Sequence, residues 1–399
     1  MKSGRWTLWL RGGACCFFVL CLALARLPAL ELDEMDLDRL RVLHLYSPLS
    51  GLDGARIQEE EQMEEHPVPF ALWGQQSGIM ALNPALGRSA ACDVVTLWGN
   101  SQLVFPSPLS LPVQETASCL IDCSTAMSLF GSSRPVGSTV SVGGKDYTLR
   151  GIVESSQPVV LIPASSLDKS LTHLSLQVPE GDSPKWAAES FAQRHGLLGE
   201  FKEPALPARL GKGLSMLPAA VLLLCAIGQS ARAALSYPTG RIRFWVGLAL
   251  AGALWFLLLW LTDFHFQLPE DMIPNKWSDF DFWGQLLEEK QAELRSSLSR
   301  GQTAPELAVL LPVMGAGFWG LLGAVLTPLL PRPKTALEAW IWCAAEAVLI
   351  CMAAVYLGGG LSRDTLLWLA LPVGTLGRWA AFFLSSRTED KKLPAEDKL

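Results

Sequence analysis

Residues 119–153 read CLIDCSTAMSLFGSSRPVGSTVSVGGKDYTLRGIV, and the punctuation of this stretch decides how the middle of the chain folds. Cys123–Phe130 carries neither Gly nor Pro and reads as a helix. Gly131 stops it, because glycine enters the left-handed region without a Cβ penalty. Thr139–Val142 and Tyr147–Val153 read as short strands. Between them, Val142-Gly143-Gly144-Lys145 is a hairpin turn, where adjacent positive-φ positions suit glycine.

Working outward, Asp93–Trp98, Gln102–Phe105, Val159–Ile162 and His173–Val178 read as further strands bounded by Gly, Pro, Ser or Asn, in a β-rich region from Phe70 to about Val178. Pro184–His195 reads as a second helix, with Ser183 as its cap and Gly196 as its stop. The result is an α+β domain of about 180 residues, large enough for its own core. Ahead of it, Leu32–Arg41 is acidic and periodic in Leu32, Met35, Leu37 and Leu40, the pattern of a short helix. Glu59–Glu65 (EEEQMEE) reads as a solvated loop or helix face, with cation binding as the sharper alternative.

The domain is framed by apolar segments. Of 399 residues, half are apolar and only 18% charged, below the roughly one quarter usual in water-soluble chains. Five segments approach the ~20 residues needed to cross a hydrocarbon core: Leu214–Ala234, Phe244–Thr262, Leu307–Leu329, Ala336–Leu357 and Thr365–Leu384. A sixth, Trp6–Leu30, is interrupted by Arg11 and Arg26, and its uninterrupted run is Ala14–Ala25. Two readings stand for it: a retained span, or a signal peptide cut near Ala23-Leu24-Ala25. Both deliver the chain after Glu31 to the far side of the membrane.

Cations set the orientation. The N-terminus (Lys2, Arg5, Arg11), the second-to-third loop (Arg232, Arg241, Arg243), the fourth-to-fifth loop (Arg332, Lys334) and the tail (Arg387, Lys391, Lys392, Lys398) hold 12 basic residues. The loops 263–306 and 358–364 hold five, namely Lys276, Lys290, Arg295, Arg300 and Arg363. This bias places both termini in the cytoplasm. The expected organisation is a first span at 1–30, an extracytoplasmic domain at 31–212 and two spans at 213–262. An outer loop at 263–306, three spans at 307–385 and a tail at 386–399 complete it. The fold class is an α-helical integral membrane protein of about six transmembrane helices plus one α+β extracytoplasmic domain. In the outer loop, Trp277–Trp283 alternates aromatics with acids, and Gly284–Arg300 reads as a helix with Leu287, Leu294 and Leu298 on one side. An interfacial anchor explains both; packing on the outer domain or a partner is the other reading.

Catalytic signatures are missing from the sequence. There is no G-x-x-x-x-G-K-[ST], no G-x-S-x-G and no H-E-x-x-H; Gly144-Lys145 sits in a hairpin and is followed by Asp146. The five histidines, His44, His66, His173, His195 and His265, are unpaired in sequence and read as surface or satisfied core residues. No enzyme, cofactor or metal site is expected, and the net charge of −6 argues against a nucleic-acid surface. Six cysteines (Cys15, Cys16, Cys21, Cys225, Cys343, Cys351) fall in spans and act as small hydrophobes. Cys92, Cys119 and Cys123 lie in the outer domain, either as free thiols or with one disulfide among them. One carboxylate stands out: Glu346 lies mid-span, where a charge is costly. An interhelical contact, pairing with Arg378 of the last span, or an ion or proton role are the readings for this intramembrane pair. The small-residue seams Gly315/Ala316/Gly317/Gly320/Gly323 and Gly247/Ala251 allow close helix packing.

The Cys119–Val153 stretch resembles the periplasmic core domain of MacB-like and FtsX-like ABC transporter permeases. There a strand and helix end in an LFG signature, followed by a PVG turn, a strand, a Gly-rich hairpin and a strand ending V-x-G-[IV]. Here these elements are Leu129-Phe130-Gly131, Pro135-Val136-Gly137, Gly143-Gly144-Lys145 and Leu149-Arg150-Gly151-Ile152. The resemblance implies a permease-like subunit of an ABC transport or mechanotransmission system, with an ATPase subunit supplied in trans. It further implies an extracytoplasmic protein partner, the bilayer as surroundings, and a homo- or hetero-oligomer. Arg232, Arg241 and Arg243 would form the ATPase-coupling loop. Two departures accompany it: Gln229–Arg243 is short and poorly matched to the family's coupling segment, and two further spans follow the expected last one. The alternative is a membrane receptor or scaffold without an ATPase, with a membrane-embedded enzyme third. A docking helix within Gln229–Arg243 would favour the permease, and a bare turn the receptor.

Overall fold

The computed structural model describes residues 2–105, 111, 116–155, 157–164, 167, 169–179, 181, 183–239, 241–262, 303–356 and 363–389, with positions 284, 285, 287, 288 and 291 between. The aromatic–acid run at 277–283 and the helix expected over 284–300 fall outside the described residues as elements. The chain divides into two compact units, one of residues 1–30, 210–273 and 313–399, the other of 31–209 and 274–312.

In the second unit nine strands form one sheet: β1 (Leu40–Leu49), β2 (Phe70–Asn83), β3 (Arg88–Gly99), β4 (Ser118–Asp122), β5 (Thr139–Val142), β6 (Lys145–Val153), β7 (Val159–Pro163), β8 (Leu171–Gln177) and β9 (Gly199–Lys202). Their order is β3-β7-β4-β6-β5-β2-β8-β1-β9, and β2 also pairs with β3. That extra pairing closes the first six strands on themselves and leaves β8, β1 and β9 as an extension. The length of β2 makes this work: Phe70–Trp73 pairs with β8, Ala81 and Leu82 pair with β5, and a bulge between Gln76 and Ile79 bends the strand.

Both faces of the closed part are covered. Cys119 and Ile121 of β4 pack with Val94, Val160 and the helix residues Ala126 and Leu129, whereas Leu120 packs on the other side with Leu97, Phe105 and Leu161. A strand buried on both faces shows a continuous apolar run rather than alternation, as β4 and β7 do. Helices α2 (Gly51–Gln62) and α4 (Pro184–Arg194) cover one face of the extension, placing Ile57, Ala188 and Phe191 against Leu43, Leu72 and Leu174.

The quoted stretch folds as its punctuation dictates. Helix α3 (Cys123–Phe130) ends on Gly131 at φ 68°, and Gly143 and Gly144 take φ 59° and 78° in the β5–β6 hairpin. Asp122 is the cap of α3. It accepts from the amides of Ser124 (2.7 Å) and Thr125, and from the Val159 amide of β7 at 2.8 Å. One fully buried carboxylate thus ties β4, α3 and β7 together.

Several expectations need correction. Residues 102–105 are no strand: Ser101–Leu103 is a short 3-10 turn with Asn100 accepting from the Gln102 amide. Leu103, Val104 and Phe105 are buried all the same, and a short apolar run does not distinguish a buried turn from a strand. The helix expected across 32–41 is divided: α1 (Lys2–Glu34) ends early, Asp36 turns the chain at φ 41°, and Leu40 already belongs to β1. Ser183 stands at the cap of α4 without a side-chain hydrogen bond. Of the two readings for the outer-domain cysteines, the structure has the free thiols: Cys92 and Cys119 are buried, their pKa values pushed up to about 11 and about 12 by burial, and Cys123 is exposed.

The first unit is helical. Together with α1, helices α5 (Ala205–Leu235), α6 (Ile242–Leu261), α7 (Ala304–Leu326), α8 (Ala336–Tyr356) and α9 (Ala370–Glu389) make six helices long and apolar enough to cross a membrane. Phe18, Leu222, Leu223, Leu254 and Leu371 lie in their shared core. In α7 the glycine seam meets α5: a Cβ at Gly320 would lie 2.0 Å from the Leu214 carbonyl oxygen, and one at Gly323 2.9 Å from Pro218. Small residues are what permit backbones to approach this closely.

Candidate functional site

Three polar clusters organise the described chain. The first lies in the α+β unit on the face of the β2-β8-β1-β9 extension turned away from α2 and α4, where Trp73, His173 and Ser175 are buried. Trp73, His173 and His44 stack with ring centroids 4.2 and 4.7 Å apart, and Trp73 Nε1 donates to Ser175 Oγ at 2.9 Å. Burial first, and the neighbouring His44 second, push the His173 imidazole down to about 4. The first turn of α7 is fastened beside this column. Gln75 Oε1 accepts from the Ala304 amide at 2.7 Å, Lys202 pairs with Glu306 at 2.6 Å, and Glu306 also accepts from the Thr303 amide at 3.1 Å. Below the column is a partly open chamber of about 340 Å³ whose lining includes Leu37, Val42, Trp73, Leu103, Val104, Lys202, Glu306, Ala308 and Val309.

Sequence reasoning missed this cluster. Gln75 and Ala304 are 229 residues apart, and Lys202 and Glu306 are 104 apart, so only tertiary pairing unites them. One local signal was available: Thr303-x-x-Glu306 has the spacing of a capping box, and Glu306 fulfils its half of it.

The second cluster is intramembrane. Glu346 is fully buried; its Oε1 accepts from Thr375 Oγ1 at 2.9 Å and lies 3.8 Å from Cys15 Sγ, and its Oε2 is buried without a hydrogen-bond partner among the described residues. Arg378, one turn beyond Thr375, directs both terminal nitrogens to the Thr327 carbonyl at 3.3 Å. Glu346 and Arg378 are therefore both buried in the helical unit; the last-span hydrogen-bond donor to Glu346 is Thr375, and the Arg378 guanidinium acts on the carboxylate without a hydrogen bond to it.

The third cluster is the α5–α6 turn. Arg232 is exposed in the last turn of α5, Arg241 is the exposed cap of α6, and Arg243 packs on Tyr237 with its guanidinium carbon 5.7 Å from the ring centroid. The Tyr237 hydroxyl donates to the Leu384 carbonyl, which brings this turn to the end of α9. Cations at a helix N-terminus oppose the helix dipole, so α6 gains nothing locally from Arg241 and Arg243. Among the described residues of this turn, the backbone amides of Ser236, Tyr237 and Arg241 donate to the carbonyls of Arg232, Ala234 and Pro238, with no intervening helix.

Elsewhere the acid run proves to be partly interior. Glu61 is buried, accepting from the Val68 amide, from Arg194 at 2.7 Å and facing His195 Nε2 at 2.8 Å, while Glu60 faces His195 Nδ1 at 2.7 Å. His195 is thus a satisfied core residue, fixing α2 to α4.

An α+β domain inserted between the first and second of the six apolar helices among the described residues defines a multi-pass membrane protein. Residues 104–194 match the family model of the MacB-like periplasmic core domain; over that segment the chain resembles the MacB-like ABC transporter permeases. Among solved structures it is similar to the periplasmic region of MacB from Actinobacillus actinomycetemcomitans, at 11% identity over 41% of this chain and 86% of that one, TM-score 0.32. It is also similar to the extracellular domain of the noncanonic ABC-type transporter YknZ from Gram-positive bacteria, at 14% identity over 41% and 97%, TM-score 0.31. Among curated proteins none matches the chain.

Proposed function

We propose that this chain is the membrane subunit of an ABC-type system whose ATPase is a separate chain. Conformational change passes between the cytoplasmic ends of the helices and the α+β domain, rather than substrate through a central pore. The observation that carries this reading is the MacB-like periplasmic core match at 104–194, placed between spans one and two. In this reading both termini are cytoplasmic, residues 31–212 are extracytoplasmic and engage a protein partner there, and Arg232, Arg241 and Arg243 face the ATPase.

A second reading, a receptor or scaffold without ATPase, draws on the absence of a helix among the described residues between α5 and α6, which leaves little surface for a docked ATPase. Mass spectrometry of proteins co-purifying from gently solubilised native membranes separates the two. A near-stoichiometric ATP-binding subunit, lost on Arg241→Glu with Arg243→Glu, supports the permease. Its reproducible absence sinks ATP coupling and leaves the receptor.

A further inference from the structure

The chamber in the α+β unit has the wall chemistry of a binding site for an apolar guest. Its volume of about 340 Å³ falls within the ~300–1,000 Å³ range of ligand pockets. Leu37, Val42, Leu103, Val104 and Val309 supply much of its apolar wall, and its charges are already answered. Lys202 holds Glu306 at 2.6 Å, Arg41 holds Glu203 at 2.7 Å, and the Trp73 indole N–H is taken by Ser175. A charged guest would lose its hydration without finding a spare counter-ion, so the wall favours an uncharged hydrocarbon.

The lining also identifies the source. Leu37 follows α1, Pro207 lies in the first turn of α5, and Pro305–Leu310 open α7. Each of these three helices continues as a candidate span. Hydrocarbon reaching this part of the chain is the hydrocarbon of the bilayer. We propose that the chamber holds the acyl chain of a membrane lipid.

The test uses the full chain in phosphatidylcholine–phosphatidylglycerol vesicles containing a phospholipid with a diazirine in its acyl chain. After irradiation, adducts are mapped by mass spectrometry. The expected result is adducts on peptides carrying residues 37–42 or 102–104, lost in Ala308→Trp, which fills the chamber, while adducts on α6 persist and report an intact fold. Val104→Phe serves as the second filling variant. Adducts confined to α6 and other lipid-facing helices in the wild type would overturn the proposal whatever the variants do. So would chamber adducts undiminished by both fillings, or adducts formed with a free diazirine fatty acid and not with the phospholipid.

Discussion

Asp122 joins three elements of the α+β unit, β4, α3 and β7, through one side chain. Its carboxylate serves the first turn of α3 and the Val159 amide at once, so Asp122→Ala leaves buried donors unanswered on two elements. The expected loss is roughly 2–4 kcal/mol, read as a lowered denaturation midpoint of the full chain; Asp122→Asn, which keeps one acceptor oxygen, should lose less. His173 sets a pH dependence. Its folded value of about 4 lies below the ordinary 6.5, so the unfolded chain binds the proton first. The associated stability is whole above about pH 6.5 and is lost as the pH falls towards 4, on the order of 3 kcal/mol in total. His44, Lys202 and Glu306 all act on the same ring. In detergent, thermal unfolding of the wild type should weaken between pH 7 and pH 4.5 more steeply than that of His173→Gln. Parallel curves for the two would show that His173 is not the group responsible.

At the scale of elements, the α7–α5 crossing is the contact with least room. Gly320→Ala places a methyl carbon 2.0 Å from the Leu214 carbonyl oxygen, and that backbone oxygen has no flexible side chain's freedom to give way. A well-packed helix pair accommodates such an insertion only by separating. Gly320→Ala should therefore reduce the yield of monodisperse protein and its thermal midpoint, whereas Gly252→Ala on α6, with nothing within 4 Å, should leave both unchanged. The anchoring of α7 is as local: Gln75→Leu removes the acceptor of the Ala304 amide. Hydrogen exchange in the full chain should rise at residues 304–307, and equal exchange would mean that water or Glu306 suffices there.

For the whole molecule, orientation is the property to test. The charge bias leads us to propose that the α5–α6 turn is cytoplasmic and the α+β unit outside. The exposed Cys123 should then react with a membrane-impermeant maleimide in intact cells. With Cys123 replaced by Ser, a cysteine introduced by Thr239→Cys should react only after permeabilisation. The reverse pattern would invert the topology and remove Arg232, Arg241 and Arg243 from any cytoplasmic ATPase.

How much of this was legible beforehand follows from the range of each interaction. Spans, the α3 helix with its Gly131 stop, and the Gly143-Gly144 hairpin are written in local composition and backbone sterics, and the sequence alone determined them. Strands β1 and β2 both escaped notice: β1 buries Arg41 on the same face as Leu43 and Leu45, and β2 is buried continuously over its first five residues and then bulged between Gln76 and Ile79, so neither shows a clean apolar–polar alternation. Residues 102–105 were misread because burial, not backbone form, explains their apolarity. Closure of six strands through β2, the grip of Gln75 and Lys202 on α7, and the hydrogen bond from Thr375 to Glu346 were decided by tertiary structure alone. Each joins groups whose separation along the chain is large, and no local energy term fixes which distant partner a strand edge or a buried carboxylate will meet until the register of the packed elements is set.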